Sequence, residues 1–411
     1  MTLAIRVLLG LIAGFLLGLA VAGSSSTGAT LTLAIVGPIG TIFVNLIRLT
    51  VVPLVFFMVI SSVGGMSASG VLGRTGIHAA LIAVVLLLIA SIGSVLVAKP
   101  TFARLSIDQT AALALRGPGI SIRSDGAPGA EQWFSDLVPQ NVIKAAADGA
   151  ILPVIVFAAL FGFALGRVRD ANREAVLQVI DGIAEAMQRL VVWILQLAPI
   201  GVFALAVSLA QRLGLSAAAA VIAYIALVVA LTVVGAAVVL YPLGILAGGM
   251  SASAFVSYCA PSQAIAFASR SSLAALPAMV ASAEHAELPR TTSRCILPLI
   301  ASVFHFGAAI AQTVGVLFLA RLFDVPLTVP ELALVVFAVV LASFAVPGIP
   351  GGSIVAMAPV LAAANLPLEG IGILLAVDTI PDMFRTTANL TGAMTLAAIL
   401  PSNDESSRAL I

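Results

Sequence analysis

Apolar residues recur in runs of about 20 positions along the whole chain, the length a helix needs to cross a bilayer. Six runs are plain: Leu3 to Ala22, Leu31 to Ser67, Ile77 to Ala98, Ile151 to Leu165, Val176 to Leu213 and Ala217 to Leu246. Short polar stretches separate them: a small-residue loop from Gly23 to Thr30, a tight turn from Gly70 to Gly76, and a charged loop from Arg167 to Glu174. Lys99 to Gly149 breaks the pattern with charges, Pro and Gly. It reads as a loop outside the hydrocarbon core, with a short amphipathic end from Trp133 to Ala147.

After Gly248 the pattern changes. Apolar arms too short to cross alone flank Ser269-Arg270-Ser271-Ser272, as in a re-entrant hairpin with a polar tip at membrane depth. Cys295 to Phe323 is a seventh span, interrupted at Phe304-His305-Phe306-Gly307. A second hairpin follows. Its arms are Glu331 to Ala342 and Ile354 to Ala364, and its tip carries Val346-Pro347-Gly348-Ile349-Pro350-Gly351-Gly352. Such a tip cannot continue a helix and exposes backbone N–H and C=O groups. The eighth span, Leu366 to Leu400, holds a polar stripe of Asp378, Asp382, Arg385 and Asn389 at steps of four, three and four, one face of a helix. Charges on a membrane helix are costly unless they pair or bind something. Span, hairpin, span, hairpin, span is the pattern of a substrate site between inverted repeats.

Composition agrees. The chain has 411 residues, 61% hydrophobic and only 9% charged, where a soluble chain carries about a quarter charged residues. The expectation is an all-α polytopic membrane protein without a soluble domain, in the plasma or bacterial inner membrane. The first run reads as a span rather than a signal peptide, because another span follows it. A net charge of +1 gives no reason to expect nucleic acid. Arg6, Arg74, Arg167, Arg169 and Arg173 fall on one side, which places the N-terminus in the cytoplasm. Cys259 and Cys295 lack metal-ligand spacing and read as buried thiols, and the three histidines are too scattered for a metal cluster. No cofactor is implied.

With these residues in place, the chain resembles the dicarboxylate/amino acid:cation symporters, the glutamate transporter superfamily. The likeness rests on Phe43 to Phe56, on Gly182 to Met187 continuing to Ala198-Pro199-Ile200-Gly201, on the two hairpin tips, and on Asp382-Met383-Phe384-Arg385-Thr386 with Asn389. The resemblance implies a homotrimer of elevator transporters with eight spans and two hairpins. It also implies a fixed scaffold (residues 1–71 and 101–213, the latter including the long loop) and a moving transport domain (residues 72–100 and 214–411). The family's Arg grips the substrate's side-chain carboxylate and its Asp holds the amine, roles that fall on Arg385 and Asp382. Thr386 and Asn389 complete the polar face. Main-chain groups at the tips, among Val346, Pro347, Gly348 and Gly351, hold the α-carboxylate, with Ser271 and Ser272 nearby. The physical chemistry agrees, since a planar guanidinium takes a carboxylate bidentately.

The departures concentrate on cation ligands. Where the family has Asn-Met-Asp-Gly-Thr, this chain has Phe304-His305-Phe306-Gly307-Ala308, and the Asp after Asn-Val-Thr-Gly is Ala393. Oxygen ligands on the third helix are replaced by Ala83, Leu86 and Leu87. Hard cations need oxygen ligands and negative charge, so two sodium sites lack their side chains and transport without sodium is expected. A third site built from main-chain carbonyls leaves no trace in side chains. Two groups are candidates for carrying a proton instead, His305 and Asp378. For His305 a neutral ring, hydrogen-bonded in the helix break, is the equal alternative.

Three other readings compete. An intramembrane hydrolase needs a Ser–His pair or Asp residues on facing helices, but Asp378 and Asp382 share one helix, so no enzyme is expected. A carrier of dicarboxylates or of other amino acids would keep the fold, although Asp382 would repel a cargo lacking an amine. A substrate-binding channel or sensor that does not pump is the third.

Overall fold

The computed structural model describes residues 3–22, 27–68, 74–104, 138–148, 150–213 and 215–400. Among them every regular element is a helix. In chain order these are α1 (Leu3–Val21), α2 (Thr27–Ala68), α3 (Arg74–Ala103), α4 (Val142–Ala147), α5 (Ile151–Leu165), α6 (Asp170–Gln196) and α7 (Ala198–Leu213). Next come α8 (Leu215–Gly235), a π turn (Ala236–Leu240), α9 (Tyr241–Leu246), α10 (Ala252–Ser269) and α11 (Ser272–His285). A second π turn (Thr292–Ile296) leads into α12 (Leu297–Val303), α13 (Phe306–Leu322) and α14 (Val329–Ser343). The chain closes with α15 (Gly352–Val355), α16 (Ala358–Ala363), α17 (Gly370–Val377) and α18 (Thr379–Ile399).

Among the described residues, four helices are long and apolar enough to cross a membrane by length and composition, or five when α6 and α7 count as one bent span. The eight expected spans therefore do not all stand as single crossing helices. α1 and α5 hold shorter apolar stretches, Ile5–Val21 and Pro153–Leu165. The last span divides at Asp378 into α17 and α18. α6 and α7 meet at 57° around Leu197, just before Pro199, which lacks an N–H and crowds the carbonyl four residues back. α3 runs past its expected end through Pro100 to Ala103, and α2 starts at Thr27, inside the expected first loop. Most of that loop, the turn near Gly70 and most of the long polar segment lie outside the described residues. Of its amphipathic end, α4 is described, capped by Asn141, whose Oδ1 accepts the N–H groups of Ile143 at 2.9 Å and Lys144 at 3.0 Å. The sixth span, expected to be continuous, carries the π turn just ahead of Pro242.

Small residues set the helix packing. Gly10, Gly14 and Gly18 form a stripe on α1, and a side chain at any of them would strike the backbone carbonyls of Pro199, Phe203 or Val207 on α7. This is the close approach that glycines spaced by four allow. α2 lies against α5, α6 and α7, whereas α3 lies against α13, and α8, α10 and α13 all pack on α18. α17 bridges the two groups by packing on α7, and Arg48 of α2 pairs with Glu369 at 2.7 Å.

Exposure separates lipid-facing helices from the core. Leu81, Val85, Ile89, Ile92 and Leu96 make an exposed apolar stripe on α3. In the span from Thr292 to Leu322, 94% of the most apolar window is buried. A helix apolar on all sides belongs in the centre of a bundle, and α13 is the post on which the polar stripe of α18 is mounted.

Candidate functional site

The stripe forms as one face of α18. Asp378 sits at its start, and Asp382, Arg385, Thr386 and Asn389 follow, all buried. Arg385 has no exposed surface. Its Nη1 and Nη2 donate to the two oxygens of Asp378 at 2.7 and 2.8 Å, and Nη2 also donates to Asp382 Oδ1 at 2.6 Å. The Thr386 hydroxyl donates to the same Asp382 oxygen at 3.3 Å. Two carboxylates share one guanidinium, so the pairing satisfies donors and acceptors that would be expensive to bury alone. The Asp382–Arg385 contact was legible in the sequence. The bidentate Asp378–Arg385 contact was not, although the step of seven places both on one face.

The two tips close over this cluster. α10 ends where Arg270 turns left-handed (φ 55°), and Ser271 starts α11 by accepting the Ala274 N–H at 3.3 Å. The Ser271 hydroxyl also donates to the carbonyl of Gly348 in the second tip at 2.8 Å. In that tip Gly351 (φ 74°) points its N–H at Asp382 Oδ2, 3.0 Å away, a backbone conformation that favours glycine. Val346 and Pro347 are buried behind it, and Ser272 lines a cavity of about 400 Å³ with Gly348, Ser61, Asp181, Glu185 and Gln188. Ser61 donates to Asp181 at 2.5 Å across α2 and α6.

Asn389 and His305 stand apart from the Arg385 cluster. The Asn389 Oδ1 accepts the N–H of Ala308 at 3.0 Å and so fastens α18 to the first turn of α13. His305 lies in the two-residue break between α12 and α13. Its N–H donates to the Ser343 hydroxyl at 3.2 Å, and its Nδ1 lies 2.9 Å from the Ser343 carbonyl, so Nδ1 carries the hydrogen. Nε2 is buried without a partner. The ring is thus hydrogen-bonded within the helix break.

Three residues escaped the sequence reading. Gln312 of α13 donates to the Ser353 carbonyl at 2.9 Å, with its Oε1 buried and unpaired. The Tyr224 hydroxyl of α8, a helix packed on α18, is buried and unpaired. Gly307 lies against the backbone of Arg385. A lone amide in an apolar helix was the available signal for Gln312; Tyr224 and Gly307 gave none without the third dimension.

The positions that departed from the resemblance are filled with apolar packing. The Phe304 ring occupies the space over Gly392, and Leu86, Leu87 and Ala393 are buried. Ala83, Leu87, Val303, Phe304 and Leu396 help line an apolar cavity of about 40 Å³. Cys259 is a buried free thiol, as expected.

The profile of the sodium:dicarboxylate symporter family matches residues 3–402. The chain belongs to the sodium:dicarboxylate symporter family. The chain is 28% identical to the proton/glutamate-aspartate symporter of Escherichia coli K12 over 95% of this chain and 90% of that protein. To the proton/sodium-glutamate symport protein of Geobacillus stearothermophilus it is 26% identical, over 98% and 94%. To the C4-dicarboxylate transport protein of Acinetobacter baylyi it is 28% identical, over 88% and 81%. This member of the sodium:dicarboxylate symporter family is thus a multi-pass membrane transporter and not an enzyme.

Proposed function

We propose that the protein is a sodium-independent, proton-coupled symporter of aspartate or glutamate that works as a homotrimeric elevator in the plasma membrane, N-terminus in the cytoplasm. The observation that carries the substrate reading is the buried Arg385 guanidinium beside Asp382, roofed by the Gly351 N–H and the Ser271–Gly348 link. A guanidinium suits a carboxylate and a carboxylate suits an ammonium. An acidic amino acid has both complements. The tips of α10–α11 and of α14–α15 act as re-entrant gates in this reading. α1, α2, α5, α6 and α7 form the scaffold, and α3 and α8 through α18 form the moving body. The packing of α2 on α5, α6 and α7, and of α3 on α13, supports that division, with α17 against α7 where the two groups meet.

Sodium independence is supported by the apolar residues at the cation positions, Phe304, Leu86, Leu87 and Ala393. Proton coupling is supported by the E. coli relative, described as a proton/glutamate-aspartate symporter. A C4-dicarboxylate carrier is the second reading, favoured by the Acinetobacter relative at the same identity. Asp382 opposes it, because an amine-free dianion would face a buried carboxylate.

Titration calorimetry separates the two. Aspartate or glutamate is expected to release heat equally with and without sodium, and succinate to bind at least about tenfold more weakly, the loss of one buried charge pair. Tighter binding of succinate would move the assignment to dicarboxylates.

A further inference from the structure

The two oxygens of Asp378 occupy the ends of both terminal nitrogens of Arg385. That is the same two-pronged surface a substrate carboxylate requires. Nη2 is further engaged by Asp382, and Nε is buried without a partner. The guanidinium in this arrangement therefore cannot take a substrate carboxylate end-on until Asp378 withdraws.

Charge counting constrains how it withdraws. Asp378, Asp382 and Arg385 together carry −1. An acidic amino acid also carries −1, so its entry alone would leave −2 in a water-poor site, where unscreened repulsion is severe. If Asp378 takes a proton from solution as the substrate carboxylate displaces it, the sum stays at −1. The neutral acid then needs a hydrogen-bond partner, and α8, which packs on α18, carries a buried hydroxyl without one, that of Tyr224.

The other groups around the cluster are accounted for. Asp382 is engaged by Arg385, Thr386 and the Gly351 N–H, and so is held for the substrate amine. Arg270 in the first tip is a further positive charge felt by Asp378, but it is only partly buried and is present whether the site is empty or loaded, so the difference of one charge on binding stands. His305, from the break before α13, is near enough to feel Arg385. A second hydrogen there would sit on a buried Nε2 with no acceptor, so the geometry gives that ring no place for the proton.

We propose that Asp378 is the proton carrier: it blocks Arg385 in the empty site, and it yields the guanidinium to the substrate carboxylate by accepting one proton from solution, which it returns when the substrate leaves. This rests on the reading of Arg385 and Asp382 as the substrate site. The cluster then carries the same charge empty and loaded, and substrate with its proton moves as a neutral sum. An amine-free dicarboxylate would need a second proton.

Proton uptake on binding tests this in the purified full-length protein, by aspartate calorimetry in buffers of different ionisation enthalpy. The wild type is expected to take up about one proton per aspartate, and its affinity to weaken by about tenfold per pH unit on the alkaline side. Asp378→Asn is expected to take up about none, with affinity nearly flat in pH. One proton still taken up by Asp378→Asn, or none by the wild type, would overturn the proposal. Should Asp378→Asn not fold, His305→Gln decides, since a count near one supports Asp378 and a count near zero overturns it. Failure of the wild type to bind aspartate at any pH would instead remove the underlying substrate reading, and the proposal with it.

Discussion

Arg385→Ala is expected to weaken aspartate binding by at least about thirtyfold, the equivalent of about 2 kcal/mol or more when one partner of a buried charge pair is lost. The side chain is fully enclosed and bonded to two carboxylates. Its removal acts twice. The substrate loses its guanidinium, and Asp378 and Asp382 are left as buried neighbours with no counter-charge, a situation that costs about 3–5 kcal/mol unless one of them takes a proton. Thermal stability of the empty protein should therefore fall along with affinity. Arg385→Lys separates the two effects. An ammonium keeps the charge but cannot span both oxygens of Asp378 or of a substrate, so stability should recover more than binding does. Calorimetry and thermal unfolding of the two variants check this. Binding by Arg385→Ala within about threefold of wild type, a change near 0.7 kcal/mol, would contradict the assigned role.

Gly307→Ala is expected to lower both stability and affinity although the residue touches no substrate. A Cβ there would meet the carbonyl oxygen of Arg385 and come within 2.9 Å of its Cα and 3.0 Å of its carbonyl carbon. These are backbone atoms of α18 and cannot rotate aside, so α13 and α18 must separate. Overpacking of this kind costs about 1–3 kcal/mol. The displacement falls on the residue that presents the guanidinium, and a loss of about tenfold in aspartate affinity follows from a misplaced fork. Gly93→Ala is the matched control, because nothing lies within 4 Å of the added methyl on α3. Measured side by side, the first should show a depressed melting temperature and weaker binding, and the second neither.

These two residues also mark how far the sequence could be read. Arg385 was visible because a charge in an apolar run is rare and its spacing to Asp382 puts both on one helix face. The tips were visible for a similar local reason, since Pro347, Gly348, Pro350 and Gly351 cannot continue a helix. The break before α13 showed as Phe304-His305-Phe306-Gly307, although only Phe304 and His305 leave the helix. Gly307 was unreadable as a contact, because its reason lies on another helix 78 positions away. The preference of Arg385 for both oxygens of Asp378 over a single contact with Asp382 depends on side-chain geometry that spacing alone does not fix. The π turn at Ala236–Leu240 likewise had no local signature beyond the proline that follows it.

The apolar residues at the family's cation positions carry the widest consequence. Phe304 fills the space over Gly392, and Ala393 is buried one turn beyond Asn389. The substrate half of α18 keeps its polar face while the half beyond it is packed like an ordinary core. Under the function proposed above, such a carrier draws its driving force from a proton, and one held at Asp378 meets the charge requirement of the site.

The most direct test is uptake of labelled aspartate into proteoliposomes under an inwardly directed proton gradient, with sodium replaced throughout by choline. Accumulation at the same rate in choline as in sodium, abolished when the proton gradient is collapsed, is the predicted result. Uptake that rises steeply with sodium and ignores the proton gradient would contradict it.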